Sequence, residues 1–204
     1  MPRRPPARAR SALADGRMLE FPAVKITRLR IPEVLLIEPH VFEDARGFFF
    51  ESFNEQAFAR EAGLNAHFVQ DNVSGSTRHV LRGLHYQIDN PQGKLIRVTR
   101  GEIYDVAVDL RKSSPTFGQW VGTRISADAR LSVWIPIGFA HGFLVLSDFA
   151  EIFYKVTDYW NPQSERRILW NDPDLNIQWP LSGDPVLAKA DVAACRFKDA
   201  DVFK

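Results

Sequence analysis

The chain has 204 residues, 45% of them hydrophobic, with 15 Phe, 5 Trp and a formal net charge of +1, enough apolar material for one sizeable core and nothing that demands a second. Its single cysteine, Cys195, excludes an internal disulfide and a Cys-rich zinc site and points to a reducing cytoplasm. No uninterrupted apolar run approaches the roughly 20 residues needed to cross a bilayer, so a soluble chain with no membrane partner is expected. Residues 1–17, "MPRRPPARARSALADGR", carry five Arg and one Asp, a net +4 that leaves −3 on the rest. Proline, arginine and alanine dominate this arm, with too few large apolar groups to repay the entropy of ordering. It is expected to be a disordered extension, not a nucleic-acid-binding arm, and it lacks the apolar stretch of a signal peptide. Met18 stands just before the first well-patterned segment, so residues 18–204 are expected to form the single domain.

From Ile26 onward short apolar runs alternate with turn signals. They read "VLLIEP", "GFFFESF", "AHFVQDNVS", "KLIRVTRGEIYDVAVDLR", "GQWVGTRIS", "SVWIPIGFAHGFLVLS" and "AEIFYKVTDYW". Strands at this spacing, rich in Val, Ile, Phe and Trp and punctuated by Gly, Pro, Asn and Asp, favour a sandwich or barrel over βαβ units. One helix is predicted at "NEQAFAREAG", where Asn54 can cap and Gly63 can terminate. A second, shorter one is predicted near "LAKADVAAC". In "LRGLHYQ" a period of two places Arg82, Leu84 and Tyr86 on one face and Gly83, His85 and Gln87 on the other.

Polar residues that interrupt these apolar strands carry the functional signal. They are Arg46, Glu51, Gln70, Asn72, Arg82, His85, Gln87, Lys94, Asp105, Asp109, His141, Glu151, Tyr154 and Lys155. A buried polar group left unpaired costs about 1–3 kcal/mol, so a set this large implies exposed strand faces or a polar cavity, and the alternation favours the cavity. Each residue taken alone has a plainer use. His85 can be a core histidine satisfied by a neighbour, Arg46 beside Gly47 can close a turn, His141 can be a structural donor, and Asp71 or Asp191 can cap a helix. A metal site of the kind barrels often hold would need paired histidine ligands such as His-x-His. The position two after His85 is Gln87, and His79 would lie about 20 Å away along an extended strand. No catalytic metal and no cofactor are expected.

The strings "FEDARGFFFESFN", "FVQDN", "VLRGLHYQ", "QGKLIRVTRGEIYDVAVDLRKSSPTFGQWVG", "WIPIGFAHGFLVLSDFAEIFYKVTDYW" and "SERRILWNDPDLNIQWP" carry a resemblance. Over about Met18 to Asp191 the chain resembles the dTDP-4-dehydrorhamnose 3,5-epimerase family, jelly-roll enzymes of the cupin superfamily that work without a catalytic metal. The resemblance implies inversion of carbons 3 and 5 of dTDP-4-dehydro-6-deoxy-D-glucose through an enolate. It implies that His85 is the base, that Asp191 holds its ring, that Tyr154 returns the proton, and that Lys94 with Arg82 nearby stabilises the enolate. It further implies substrate contacts from Arg46, Glu51, Gln70, Asn72, His141 and Glu165, and a homodimer that exchanges an N-terminal strand. The chain departs from the family pattern at Val73, at Lys189, which stands one position early in "PVLAKAD", and at Trp160 after Tyr159. Related enzymes that epimerise only carbon 3 or carbon 5 share most of these motifs, so a narrower epimerase is the alternative, and a non-catalytic sugar-nucleotide binding protein the remaining one.

Overall fold

A computed structural model describes residues 24–204; the Arg-rich arm and Met18 lie outside the described residues. Thirteen strands follow one another as β1 (Lys25–Arg28), β2 (Leu35–Glu38), β3 (Phe42–Asp44), β4 (Gly47–Phe49), β5 (Gln70–Thr77), β6 (Leu81–Gln87), β7 (Lys94–Arg100), β8 (Glu102–Asp109), β9 (Trp120–Ser126), β10 (Ser132–Ile135), β11 (Phe139–Val145), β12 (Phe149–Val156) and β13 (Glu165–Arg167). They build a six-stranded sheet in the order β1-β2-β10-β7-β12-β5, a five-stranded sheet in the order β13-β6-β11-β8-β9, and a separate β3-β4 hairpin. Among the described residues every strand pairing within these two sheets is antiparallel. Strands β5 to β12 give 5-12-7-10 in one sheet and 6-11-8-9 in the other, which is the connectivity of a jelly roll. The mostly β, jelly-roll expectation holds.

Alternation along the strands sorts the side chains into three apolar layers. Ile96 and Val98 of β7, Ile103 of β8, Ile125 of β9, Phe143 of β11 and Ile152 of β12 meet between the sheets. Leu84 and Tyr86 of β6 face the other way, onto Ile168, Leu175 and Ile177 of the C-terminal segment. Leu35, Leu95 and Trp134 of the six-stranded sheet are covered by Phe58 and Ala62 of α1 (Glu55–Ala62). This helix begins and ends where its caps predict. The Asn54 side chain accepts the Ala57 N–H at 3.0 Å, and Gly63 takes a left-handed φ of 70° while its N–H reaches the Ala59 carbonyl. The short C-terminal helix is α2 (Lys189–Val192), inside the predicted stretch.

One face assignment is corrected. Against β11, His85 pairs with His141 and Arg82 with Phe143, so three steps along β6 match two along β11. That extra residue is a β-bulge, which moves Arg82 to the same side as His85. Gly83 occupies it at φ 132°, where a Cβ would fall 2.5 Å from the Gly142 Cα; only glycine fits.

Candidate active site

Two adjoining cavities of about 350 and 140 Å³ open between the sheets and share His85, Lys94 and Tyr154 in their walls. His85 and His141 come from the five-stranded sheet, on β6 and β11, while Lys94 and Tyr154 come from the six-stranded one, on β7 and β12. The bulge brings Arg82 into the smaller cavity beside His141. Gln70, Asn72, Trp160 and Glu165 line the larger one.

Behind His85 lies Asp191, 2% exposed, with its Oδ1 2.7 Å from His85 Nε2. Burial alone would raise this carboxyl, but the His85 hydrogen bond and charge, the Gly83 N–H and the Arg167 guanidinium outweigh it and hold the group below the ordinary carboxylate range. A carboxylate so fixed selects which imidazole nitrogen carries the proton and leaves the other free toward the cavity. A second pair sits alongside. His141 Nε2 is 2.7 Å from Asp105 Oδ2; burial pushes this imidazole below its usual value, Asp105 opposes that, and Lys94 and His85 reinforce it.

Burial pushes the Lys94 ammonium down to about 8, against the pull of Asp105 and Glu165. The Tyr154 phenol is pushed up, first by burial and further by Glu165, with Arg82 opposing. Arg82 donates from Nε to the Ser76 hydroxyl at 3.1 Å. Gln70 donates to Asn72 Oδ1 at 2.8 Å and accepts the Trp160 N–H at 3.1 Å, which fixes the wall on that side. Among the described residues no group of three or more His, Cys, Asp or Glu is arranged to hold a metal ion.

Eight of the sequence-predicted site residues therefore line one continuous space, with Asp191 directly behind it. Arg46 and Glu51 do not join them within this chain. Arg46 sits at the tip of the β3-β4 hairpin, its Nη2 2.5 Å from Asp44, and Glu51 accepts from the Asn54 side chain at 3.2 Å. Lys189 is exposed at the start of α2. Other polar residues flagged in the strands are structural. Asp109 accepts from Arg111, Ser114 and Thr116 and Lys155 pairs with Asp71; Gln87 touches the wall of the larger cavity, but its side chain is engaged by the carbonyls of Asn90 and Tyr159 and by the Asn161 N–H. Asp105 was visible as a carboxylate in the apolar run of β8 without its partner being legible. Arg167 was missed, although its spacing of two from Glu165 already placed both on one face of a strand.

An imidazole on one sheet backed by a buried carboxylate, a phenol and an ammonium on the facing sheet, and a polar cleft between them are the parts an acid–base enzyme on a jelly-roll scaffold requires. A family model described as dTDP-4-dehydrorhamnose 3,5-epimerase matches residues 28–199. A protein named dTDP-4-dehydrorhamnose 3,5-epimerase from Pseudomonas aeruginosa is 60% identical over 180 residues, covering 88% of this chain and 99% of the relative. The crystal structure of dTDP-6-deoxy-D-glucose-3,5-epimerase from Legionella pneumophila in complex with dTDP-4-keto-L-rhamnose superposes with a TM-score of 0.85 at 49% identity, covering 87% of this chain and 95% of that one. ChmJ, a 3'-monoepimerase from Streptomyces bikiniensis in complex with dTDP-quinovose, gives 0.78 at 34% identity over 83% of this chain and 86% of its own. The chain belongs to the dTDP-4-dehydrorhamnose 3,5-epimerase family.

Proposed function

We propose that this protein inverts carbons 3 and 5 of dTDP-4-dehydro-6-deoxy-D-glucose to give dTDP-4-dehydro-L-rhamnose. The observation that carries the reading is the placement of His85, backed by Asp191, and of Tyr154 on opposite sheets of one cleft with Lys94 in its wall. The keto group at carbon 4 acidifies the hydrogens on carbons 3 and 5. His85 removes one of these, and Asp191 stabilises the imidazolium that forms. Charge moves onto the carbon-4 oxygen, where the Lys94 ammonium, with Arg82 nearby, stabilises the enolate. Tyr154 then returns a proton from the opposite face, which inverts the centre. Gln70, Asn72, His141 and Glu165 orient the sugar nucleotide, and Trp160, exposed at the rim, offers an aromatic face to the base.

Identity is greater to the relatives named for both carbons than to the 3'-monoepimerase, and this supports inversion at both centres. Incubation with the substrate in deuterated water, followed by NMR, tests it: deuterium enters at carbons 3 and 5 and the L-configured product appears. Exchange at one carbon alone would make this a monoepimerase, and no exchange a binding protein.

The assembly that completes the site is a homodimer in this reading. Phe42, Phe48 and Phe49 of the β3-β4 hairpin are 44%, 60% and 62% exposed, an apolar surface that invites a second copy. Arg46 and Glu51 on and beside this hairpin stand outside the cleft of their own chain, where a partner's cleft can receive them. Residues 18–204 are the functional domain and residues 1–17 are dispensable. Among the described residues no helix is long and apolar enough to cross a membrane; with the lone cysteine this supports a cytoplasmic enzyme, which cell fractionation checks.

A further inference from the structure

Arg167 has no part in the mechanism above, yet it contacts groups that form the cleft and back it. On β13 it stands opposite His85 in the pairing register. Its Nη2 donates to Glu165 Oε1 at 2.6 Å, and its Nε lies 3.4 Å from Asp191 Oδ1, an ion pair without hydrogen-bond geometry. That Nε is buried and has no hydrogen-bond partner. The other oxygen of Glu165 accepts the indole N–H of Trp160 at 3.2 Å. One planar, permanently charged fork thus spans the carboxylate in the substrate-facing wall and the carboxylate behind the base.

The catalytic cycle explains why a cation is needed there. A base must be neutral before it accepts a proton, so before turnover His85 gives the buried Asp191 carboxylate no positive charge. A buried carboxylate without a counterion is costly, and it escapes that cost by taking up a proton or moving toward water. Among the described residues Arg167 is the only permanent cation in ion-pair range of Asp191. It also separates two carboxylates, Asp191 and Glu165, that would otherwise repel across the same wall.

We propose that Arg167 is a positioning residue for the epimerisation: it holds Asp191 in place and ionised while His85 is neutral, and it ties that dyad to Glu165 and Trp160 on the substrate side. The inference rests on His85 being the base. The test compares Arg167→Met, Arg167→Lys and His85→Asn for deuterium exchange into substrate per folded molecule, dTDP affinity and melting temperature. Arg167→Met is expected to slow exchange about 10–100-fold, the range seen when the partner that orients a metal-binding histidine is removed, while dTDP affinity changes far less, because only the Glu165–Trp160 edge of the nucleotide site is loosened. Arg167→Lys keeps the charge without the fork and recovers part of that loss. Wild-type exchange by Arg167→Met, with or without a lower melting temperature, overturns the proposal, as does an Arg167→Lys enzyme no faster than Arg167→Met. If His85→Asn itself exchanges normally, the base assignment fails; if it is inactive while Arg167→Met is normal, the Arg167 inference alone fails.

Discussion

Replacing Lys94 by Met keeps the length of the side chain and removes its charge, and the two consequences have opposite signs. Burial moves the ammonium from 10.5 to about 8, which at about 1.4 kcal/mol per pH unit places the cost of keeping it charged near 3 kcal/mol. That is an upper bound, because the side chain keeps some contact with water. Lys94→Met should therefore fold more stably at neutral pH, by about 1–2 kcal/mol and a few degrees in melting temperature. Catalysis should suffer. An ammonium about 4 Å from a developing enolate oxygen is worth about 4 kcal/mol at an effective dielectric of 20, so kcat should fall roughly 10²–10³-fold. The pH dependence follows from the same displacement. Between about 8 and 10.5 the unfolded chain holds this proton and the folded chain has lost it, so folding stability rises with pH across that window in the wild type and not in Lys94→Met. Activity has the reverse slope: kcat/KM should decline above about 8 as the cation disappears, since burial keeps the Tyr154 phenol protonated to higher pH, and Lys94→Arg should move that limb upward. Thermal melts and kcat/KM profiles from pH 6 to 10 read all of this. A Lys94→Met enzyme within tenfold of wild type, or one less stable than wild type, would refute the electrostatic role.

Three further outcomes are expected. Tyr154→Phe keeps the ring and removes the proton donor, so net inversion should fall at least about 10²-fold while some solvent exchange with retained configuration persists; equal loss of both, followed by NMR, would mean that Tyr154 does not act after the enolate. Phe48→Ser together with Phe49→Ser should convert a dimer to a monomer by light scattering and cost activity, whereas a wild-type dimer would place the interface elsewhere. A chain beginning at Met18 should melt and turn over like the full chain; a large loss in either would give residues 1–17 a role in the fold or the site.

Most of the scaffold was legible because its signals are local. Asn54 and Gly63 marked both ends of α1, and the apolar runs marked most strands of both sheets but not the edge strands β1 and β13, whose sequences are short and polar. The cavity face was legible only in part. His85 lines it as the period of two requires, but Arg82 reaches it through the bulge between β6 and β11, a feature of pairing that no single strand reveals. Asp191 lies 106 residues from His85, and its contact depends on the C-terminal segment folding back over the five-stranded sheet; only the family resemblance pointed to it. The His141–Asp105 pair was hidden because it joins neighbouring strands whose order is set by the whole sandwich, and the reach of Arg167 to Asp191 because it depends on the same folding back of the C-terminal segment. Arg46 and Glu51 look like cleft residues in one dimension, and within their own chain they are engaged instead by Asp44 and Asn54.

The central claim is that His85 is the base, and His85→Asn tests it most directly, because asparagine preserves approximate shape and hydrogen bonding but cannot take up the proton. Substrate incubated with this variant in deuterated water should bind normally and show almost no deuterium at carbon 3 or carbon 5, against rapid incorporation with the wild type. Exchange at wild-type rates would place the base on another residue and contradict the account.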